Sequence, residues 1–222
     1  MNHIVISSPN ELEKEVPQVI GLFKAGLKIY HLRKPKFTKQ QMAQYINEIP
    51  TKYHNRIMLH SFHKLAAKHK LRGVHLSKRH KKKGFKNKIK IKWFLIKNPS
   101  LKVSTSFHSI SSLKQDKRNY DYVMISPVFD SISKKGYSAA FNLKTLTVAI
   151  QKSEKNVLAL GGINAENVSQ VKELGFYGFA LLGSIWNSEL KPVEAYKNII
   201  AKSLEKPLHV PEIMIKPVKI QL

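Results

Sequence analysis

Eight short apolar runs recur along this chain, and stretches with helical start signals separate them. The runs lie at residues 4–7, 28–32, 56–60, 73–76, 102–107, 122–126, 157–160 and 179–182. None alternates cleanly between apolar and polar side chains, which is the pattern of parallel strands covered on both faces. Parallel neighbours need long crossovers, and helices supply them. The alternation therefore predicts βαβ units in an α/β protein with one parallel sheet. Eight units in 222 residues predict a single (β/α)8 TIM barrel over residues 1–206, with a flavodoxin-like open sheet as the alternative. Residues 207–222, punctuated by Pro207, Pro211 and Pro217, read as an extended C-terminal tail. It would pack on the barrel or on a second copy in a homo-oligomer.

Several helix starts are explicit. Ser8-Pro9-Asn10-Glu11 places a capping serine, a proline at the first helical position and a glutamate three residues after the cap. Pro17 should break or restart that helix. Thr38 with Gln41 forms another capping box, and Pro50 closes its helix. Further helices are expected at 61–70, 109–117, 142–152, 165–174 and 192–204.

Composition narrows the chemistry. With no cysteine, the chain has no disulfides, thiolate nucleophiles or cysteine-based zinc sites. It has no long apolar stretch and no basic-then-apolar leader, so it reads as soluble and cytoplasmic, with no membrane partner. Lys+Arg 39 against Asp+Glu 14 gives a net charge of +25. Such a surface attracts anions: phosphorylated metabolites, nucleic acid or anionic lipid. The charge peaks at 78–92, which reads as a solvated surface loop rather than a nucleic-acid patch. Aromatic residues there are few: Phe85, with Trp93 just beyond.

Barrel active sites form at the C-terminal ends of the strands. Those ends carry His31, Arg33 and Lys34; His60 and Ser61; Ser77 and Lys78; Ser106 and His108; and Asp130, Ser131, Ser133 and Lys134. Glycine turns follow the last two runs, at Gly161-Gly162 and at Leu182-Gly183-Ser184. Backbone N–H groups at two such turns can converge on one phosphate. The Arg33 guanidinium suits a phosphate or a structural ion pair, and Ser131 and Ser133 suit a phosphate or a loop cap. Asp130 is the one acid in the set, which disfavours carboxylate-pair hydrolysis. No three-ligand metal spacing stands out. His75, inside the fourth run, reads as a packed histidine, and His60, His63 and His69 as a scatter lying mostly on a surface helix.

Together these segments resemble the thiamine-phosphate synthases and their thiazole-tautomerase relatives, from about Ile4 to about Leu204. The marks are Leu32-Arg33-Lys34, Gly73-Val74-His75-Leu76, Ser104-Thr105-Ser106-Phe107-His108-Ser109, Ser126-Pro127-Val128-Phe129 and Ala159-Leu160-Gly161-Gly162-Ile163. The resemblance implies a (β/α)8 barrel that joins an aminopyrimidine methyl diphosphate to a thiazole phosphate and releases diphosphate. It implies that Arg33 and Lys134 hold the diphosphate and that Ser106 assists the leaving group or the pyrimidine. By the same resemblance Ser131, Ser133, Gly162, Leu182 and Gly183 take the thiazole phosphate. His31, Lys34 and His60 then complete the substrate site.

Magnesium is expected for the family, yet its two aspartate positions are held here by Ser61 and, approximately, by His80. Lys64, Lys78 and Arg79 are the cations available to replace the metal's charge. The tautomerase histidine falls at Pro127, leaving His108 or His31 to substitute. A non-catalytic phosphate-ligand or nucleic-acid binder using residues 78–92 is the remaining alternative.

Overall fold

A computed structural model describes residues 1–77, 85–130 and 141–205, with backbone alone for 85–88. Eight parallel strands close into a barrel in chain order: β1 (Asn2–Ile6), β2 (Ile29–Leu32), β3 (Ile57–Leu59), β4 (Gly73–Leu76), β5 (Lys102–Phe107), β6 (Tyr122–Ile125), β7 (Val157–Leu160) and β8 (Gly178–Leu181). β1 pairs with both β2 and β8, which removes every free edge. Six strands fall within the apolar runs and β1 and β8 overlap theirs, starting two residues and one residue earlier, so the TIM barrel holds and the open sheet does not.

The helices are α1 (Glu15–Lys24), α2 (Lys39–Glu48), α3 (Lys64–Lys68), α4 (Phe85–Ile96), α5 (Ile110–Gln115), α6 (Leu143–Gln151), α7 (Gln170–Glu173), α8 (Gly183–Trp186) and α9 (Pro192–Lys202). Thr38 caps α2 with the full reciprocal box to Gln41. Ser109 caps α5 and Asn142 caps α6 through their side chains. Three expectations shift. The Ser8 hydroxyl accepts from the Asn10 N–H at 3.2 Å in a tight turn, and α1 starts only at Glu15, after Lys14 at φ 58°. Pro17 thus sits in the first turn of α1, where its missing N–H costs no helix bond. Asn164 and Asn167 bond each other's backbone, and this local winding competes with helix, so α7 is four residues long. Residues 85–92, expected in a loop, lie on α4. The rest of that basic run, residues 78–84, and the tail from 207 onward lie outside the described residues.

Two apolar shells follow from the strand alternation. Val5, Tyr30, Leu32, Leu59, Val74, Val123, Ala159 and Leu181 point outward and pack under the helices. Ile4, Ile6, Ile29, Met58, Tyr122, Met124, Leu158 and Ala180 fill the interior. The interior is not aliphatic throughout, as barrels usually are. On the β2–β5 side it holds His31, His75 and Ser104, all buried. Polar groups withdrawn from water in this way must find partners, and those partners define the site.

Candidate functional site

One half of the mouth is built from glycine turns. Gly161 and Gly162 leave β7 with φ of +94° and +70°, where a side chain is strained. Space excludes one as well. A Cβ on Gly162 would lie 2.5 Å from the carbonyl oxygens of Phe129 and Asp130, and one on Gly161 would lie 2.9 Å from Pro127. The β6 loop is laced to this turn by Val128 N–H to Leu160 O at 3.0 Å and Phe129 N–H to Gly161 O at 3.2 Å. The Asn167 amide donates to Gly162 O at 2.8 Å. Beside it, β8 runs through Leu182 into Gly183, the first residue of α8. The Trp186 indole N–H donates to Ile6 O at 2.6 Å and ties α8 to the end of β1. Ser184 Oγ is buried there without a hydrogen-bond partner. A buried hydroxyl left unsatisfied costs about 1–3 kcal/mol.

The other half is a chain of imidazoles and hydroxyls. His31 and His75 are each the third residue of their strands, so both face inward. His60 follows the last residue of β3, and its backbone N–H bonds Leu32 O at 3.1 Å, which extends the ladder by one step. His31 Nδ1 lies 2.8 Å from His60 Nε2, and His31 Nε2 lies 2.5 Å from the Tyr122 hydroxyl. His75 Nδ1 lies 2.9 Å from Ser104 Oγ and its Nε2 3.2 Å from Ser106 Oγ. The His60 and His75 rings stack, with centroids 4.1 Å apart. Burial first, and neighbouring histidines second, hold the His31 and His60 pKa values well below the ordinary imidazole value. Burial likewise raises that of the Tyr122 phenol. At neutral pH the two rings are therefore uncharged, each with one donor and one acceptor nitrogen.

The expected site residues divide accordingly. His31, His60 and Ser106 meet in the polar half, and Gly162, Leu182 and Gly183 line the glycine half. His60 belongs to the barrel mouth, not to a surface scatter. Arg33 is exposed at the rim. Its backbone is clamped by Ser7, whose Oγ accepts from Arg33 N–H at 2.7 Å and donates to Arg33 O at 2.9 Å. Lys34 turns the other way: its ammonium is buried in an ion pair with Glu15 and donates to Asn10 O at 2.6 Å. It lies against Phe37 and Tyr45, outside the barrel wall. Ser131, Ser133, Lys134, Lys78 and His80 lie outside the described residues. His75 is the packed histidine expected of the fourth run, bonded to Ser104 and Ser106; sequence reading missed Tyr122, Ser104 and Ser184 as site residues. The usable signal was phase: His31, His75 and Ser104 share the third position of adjoining inward-facing strands.

These residues do not fit magnesium. That ion takes oxygen ligands in a strict octahedron. Among the described residues, the buried donors collected here are imidazole nitrogens and neutral hydroxyls, and Ser61 brings no carboxylate.

The family model described as Thiamine monophosphate synthase matches residues 3–185. A thiamine-phosphate synthase from Pediococcus pentosaceus is 23% identical over 192 residues, 82% of this chain and 85% of that protein. A shorter match, to the thiamine-phosphate synthase of a Psychrobacter strain, is 29% identical over 101 residues, 44% of this chain and 47% of that protein. The crystal structure of thiamine phosphate pyrophosphorylase from Bacteroides thetaiotaomicron superposes with a TM-score of 0.72 at 30% identity, covering 91% of this chain and 98% of that one. With its closed barrel and a family match spanning most of its length, the chain belongs to the thiamine monophosphate synthase family.

Proposed function

We propose that this protein couples an aminopyrimidine methyl diphosphate to a thiazole phosphate and releases diphosphate. The family makes a role in thiamine biosynthesis plain at its own level; the reaction is our reading. The observation that carries it is the laced Gly161–Gly162 turn beside Gly183, with the unsatisfied Ser184 hydroxyl in the first turn of α8. Backbone N–H groups fixed in place need no reorganisation to receive a phosphate.

In this reading the thiazole phosphate anchors at Gly162, Leu182, Gly183 and Ser184, and Ser131 and Ser133 add hydroxyls to it. The bond between the pyrimidine methylene and the diphosphate oxygen breaks, and the electron pair leaves with the diphosphate. The thiazole nitrogen then donates its pair to the methylene carbon. Arg33 and Lys134 stabilise the departing charge, and Ser106 faces the leaving group or the pyrimidine. Catalysis is then chiefly positioning and charge stabilisation. The tautomerase reading lacks support. Pro127 occupies the histidine's place, and His108 is bonded through Nδ1 to Ser126 O at 3.1 Å.

The full chain is assayed for thiamine phosphate from the two substrates, with magnesium and with EDTA. Product is expected. No product under either condition overturns the reading. Ser184→Ala should raise KM for the thiazole phosphate about tenfold, the worth of one hydrogen bond to a charged group, and leave KM for the diphosphate substrate unchanged.

A further inference from the structure

Three histidines from three adjoining strands converge inside the barrel, in a family whose expected metal they do not suit. One ring nitrogen from each of His31, His60 and His75 lies within 4.8 Å of the other two. We propose that His31, His60 and His75 form a three-histidine site for a zinc-class divalent ion, with the fourth position open toward Ser106 and the mouth. The proposal stands apart from the coupling reaction and holds whether or not that reaction occurs.

Ligand chemistry comes first. Three imidazoles with one open position make a donor set that zinc uses at catalytic sites, and nitrogen donors favour zinc, cobalt, nickel or copper over magnesium. Geometry follows. Metal–nitrogen bonds of about 2.05 Å in a tetrahedron set ligands about 3.3 Å apart. His31 Nδ1 and His60 Nε2 are now 2.8 Å apart and bonded to each other, so an ion replaces that bond by a separation of about half an ångström. The His60 and His75 planes are 16° from parallel and stacked, so their in-plane lone pairs do not converge on one point. Capture therefore turns one ring. His60 is the one free to turn, because it sits past the end of β3 and is the least buried of the three.

The outer contacts suit such a site. The nitrogens on the far sides of two rings are already engaged: His31 Nε2 with Tyr122 Oη and His75 Nδ1 with Ser104 Oγ. Those bonds orient a metal-binding histidine and fix its tautomer. They require Nε2–H of His31 to donate to Tyr122 and Nδ1–H of His75 to donate to Ser104. That leaves His31 Nδ1 and His75 Nε2 with lone pairs, while His60 Nε2 carries the proton of its bond to His31; capture of the ion moves that proton to His60 Nδ1 or releases it to solvent. Tyr122 is then a positioning residue, not a ligand.

The test is titration of the full chain, without substrates, with cobalt(II), followed by its visible absorption, and with zinc(II) by calorimetry. The expected result is one equivalent bound, with the intense absorption of four-coordinate cobalt, and no competition from excess magnesium. His60→Ala, a change at a strand end that spares the buried core, and His75→Gln should each weaken binding at least about 100-fold, more than the 10–100-fold that outer contacts contribute. Tyr122→Phe should weaken it about tenfold, and zinc should restore part of that loss at raised concentration. A control with His63→Gln and His69→Gln should bind as the parent does. Circular dichroism of each apo variant separates misfolding from ligand loss. Absence of saturable cobalt binding, or binding that survives both His60→Ala and His75→Gln in folded protein, overturns the proposal.

Discussion

Replacing Lys34 by methionine tests whether this cation serves the fold or the substrate. The side chains of Lys34 and Glu15 are 1% and 3% exposed, so neither charge has water to fall back on. With the ammonium gone, the Glu15 carboxylate keeps only neutral partners, the Tyr30 hydroxyl at 3.3 Å and the Tyr45 hydroxyl. Burial already pushes the Glu15 pKa up, and Lys34 is the main influence opposing that rise. Breaking a buried pair from one side costs about 3–5 kcal/mol. That is a large part of the roughly 5–15 kcal/mol that holds a domain folded, and in a chain of this size it lowers Tm by about 10 °C. Removing both charges is another matter, since an apolar or neutral pair of similar volume is often tolerated. Lys34→Met with Glu15→Gln should therefore recover all but about 1 kcal/mol. Urea unfolding followed by tryptophan fluorescence measures both variants, and kcat/KM is read below the unfolding transition. The reasoning is refuted if Lys34→Met unfolds like the parent while kcat/KM falls more than about tenfold.

Acidification should expose the buried imidazoles. Unfolded histidine takes a proton near 6.5, whereas His31 and His60 resist it until well below that value. Below 6.5 the unfolded state thus binds more protons, and stability falls as pH falls. Between pH 7.5 and 5.5 the loss is about 1 kcal/mol per ring and 2–3 for both. Urea unfolding of the parent should show it, and a His31→Gln, His60→Asn variant should lack it; an equal loss in that variant refutes the assignment. Gly162→Ala, at φ +70° with a Cβ 2.5 Å from two carbonyl oxygens, should cost about 2–5 kcal/mol and raise KM for thiazole phosphate; a silent change in thermal melting and kinetics contradicts the cradle. Arg33→Ala, at an exposed rim position, should lower kcat/KM for the diphosphate substrate about 10–100-fold and leave stability within about 0.5 kcal/mol; a stability loss without a kinetic one argues for a structural ion pair.

The barrel was legible because parallel strands are buried on both faces, so each shows as an apolar run without help from its neighbours. Val157–Leu160 and Gly178–Leu181 are clear cases, each closed by a glycine turn. The glycine half of the mouth could be read for the same reason, since each turn is contiguous in the chain. The histidine half could be read only in part: His31, His60 and Ser106 stood out at strand ends, but not their junction with His75. His31, His60 and His75 are brought together only when β2, β3 and β4 pair in register, and no local pattern encodes that register. Lys34 was misleading in a similar way. It follows Arg33 directly, but successive residues past a strand end face opposite sides of the wall, and Glu15 lies on the outer side. The Ser8 start failed because a short side-chain turn and the left-handed Lys14 took up the residues that a capping box would have begun to wind.

The barrel's lumen is divided into an aliphatic arc running from β6 through β8 to β1 and an imidazole-and-hydroxyl arc from β2 to β5. The glycine turns are mounted on the first arc and the histidines on the second; the arcs join where β1 pairs β2 and β5 pairs β6, and the Tyr122 hydroxyl of β6 reaches across the lumen to His31. The mouth is in effect a vice with one fixed jaw and one exchangeable jaw. Donors can be swapped on the polar jaw, oxygen for nitrogen, while the backbone of the glycine turns keeps its place. In the proposed coupling, the side that meets the electrophile can change its chemistry without disturbing the side that holds the nucleophile.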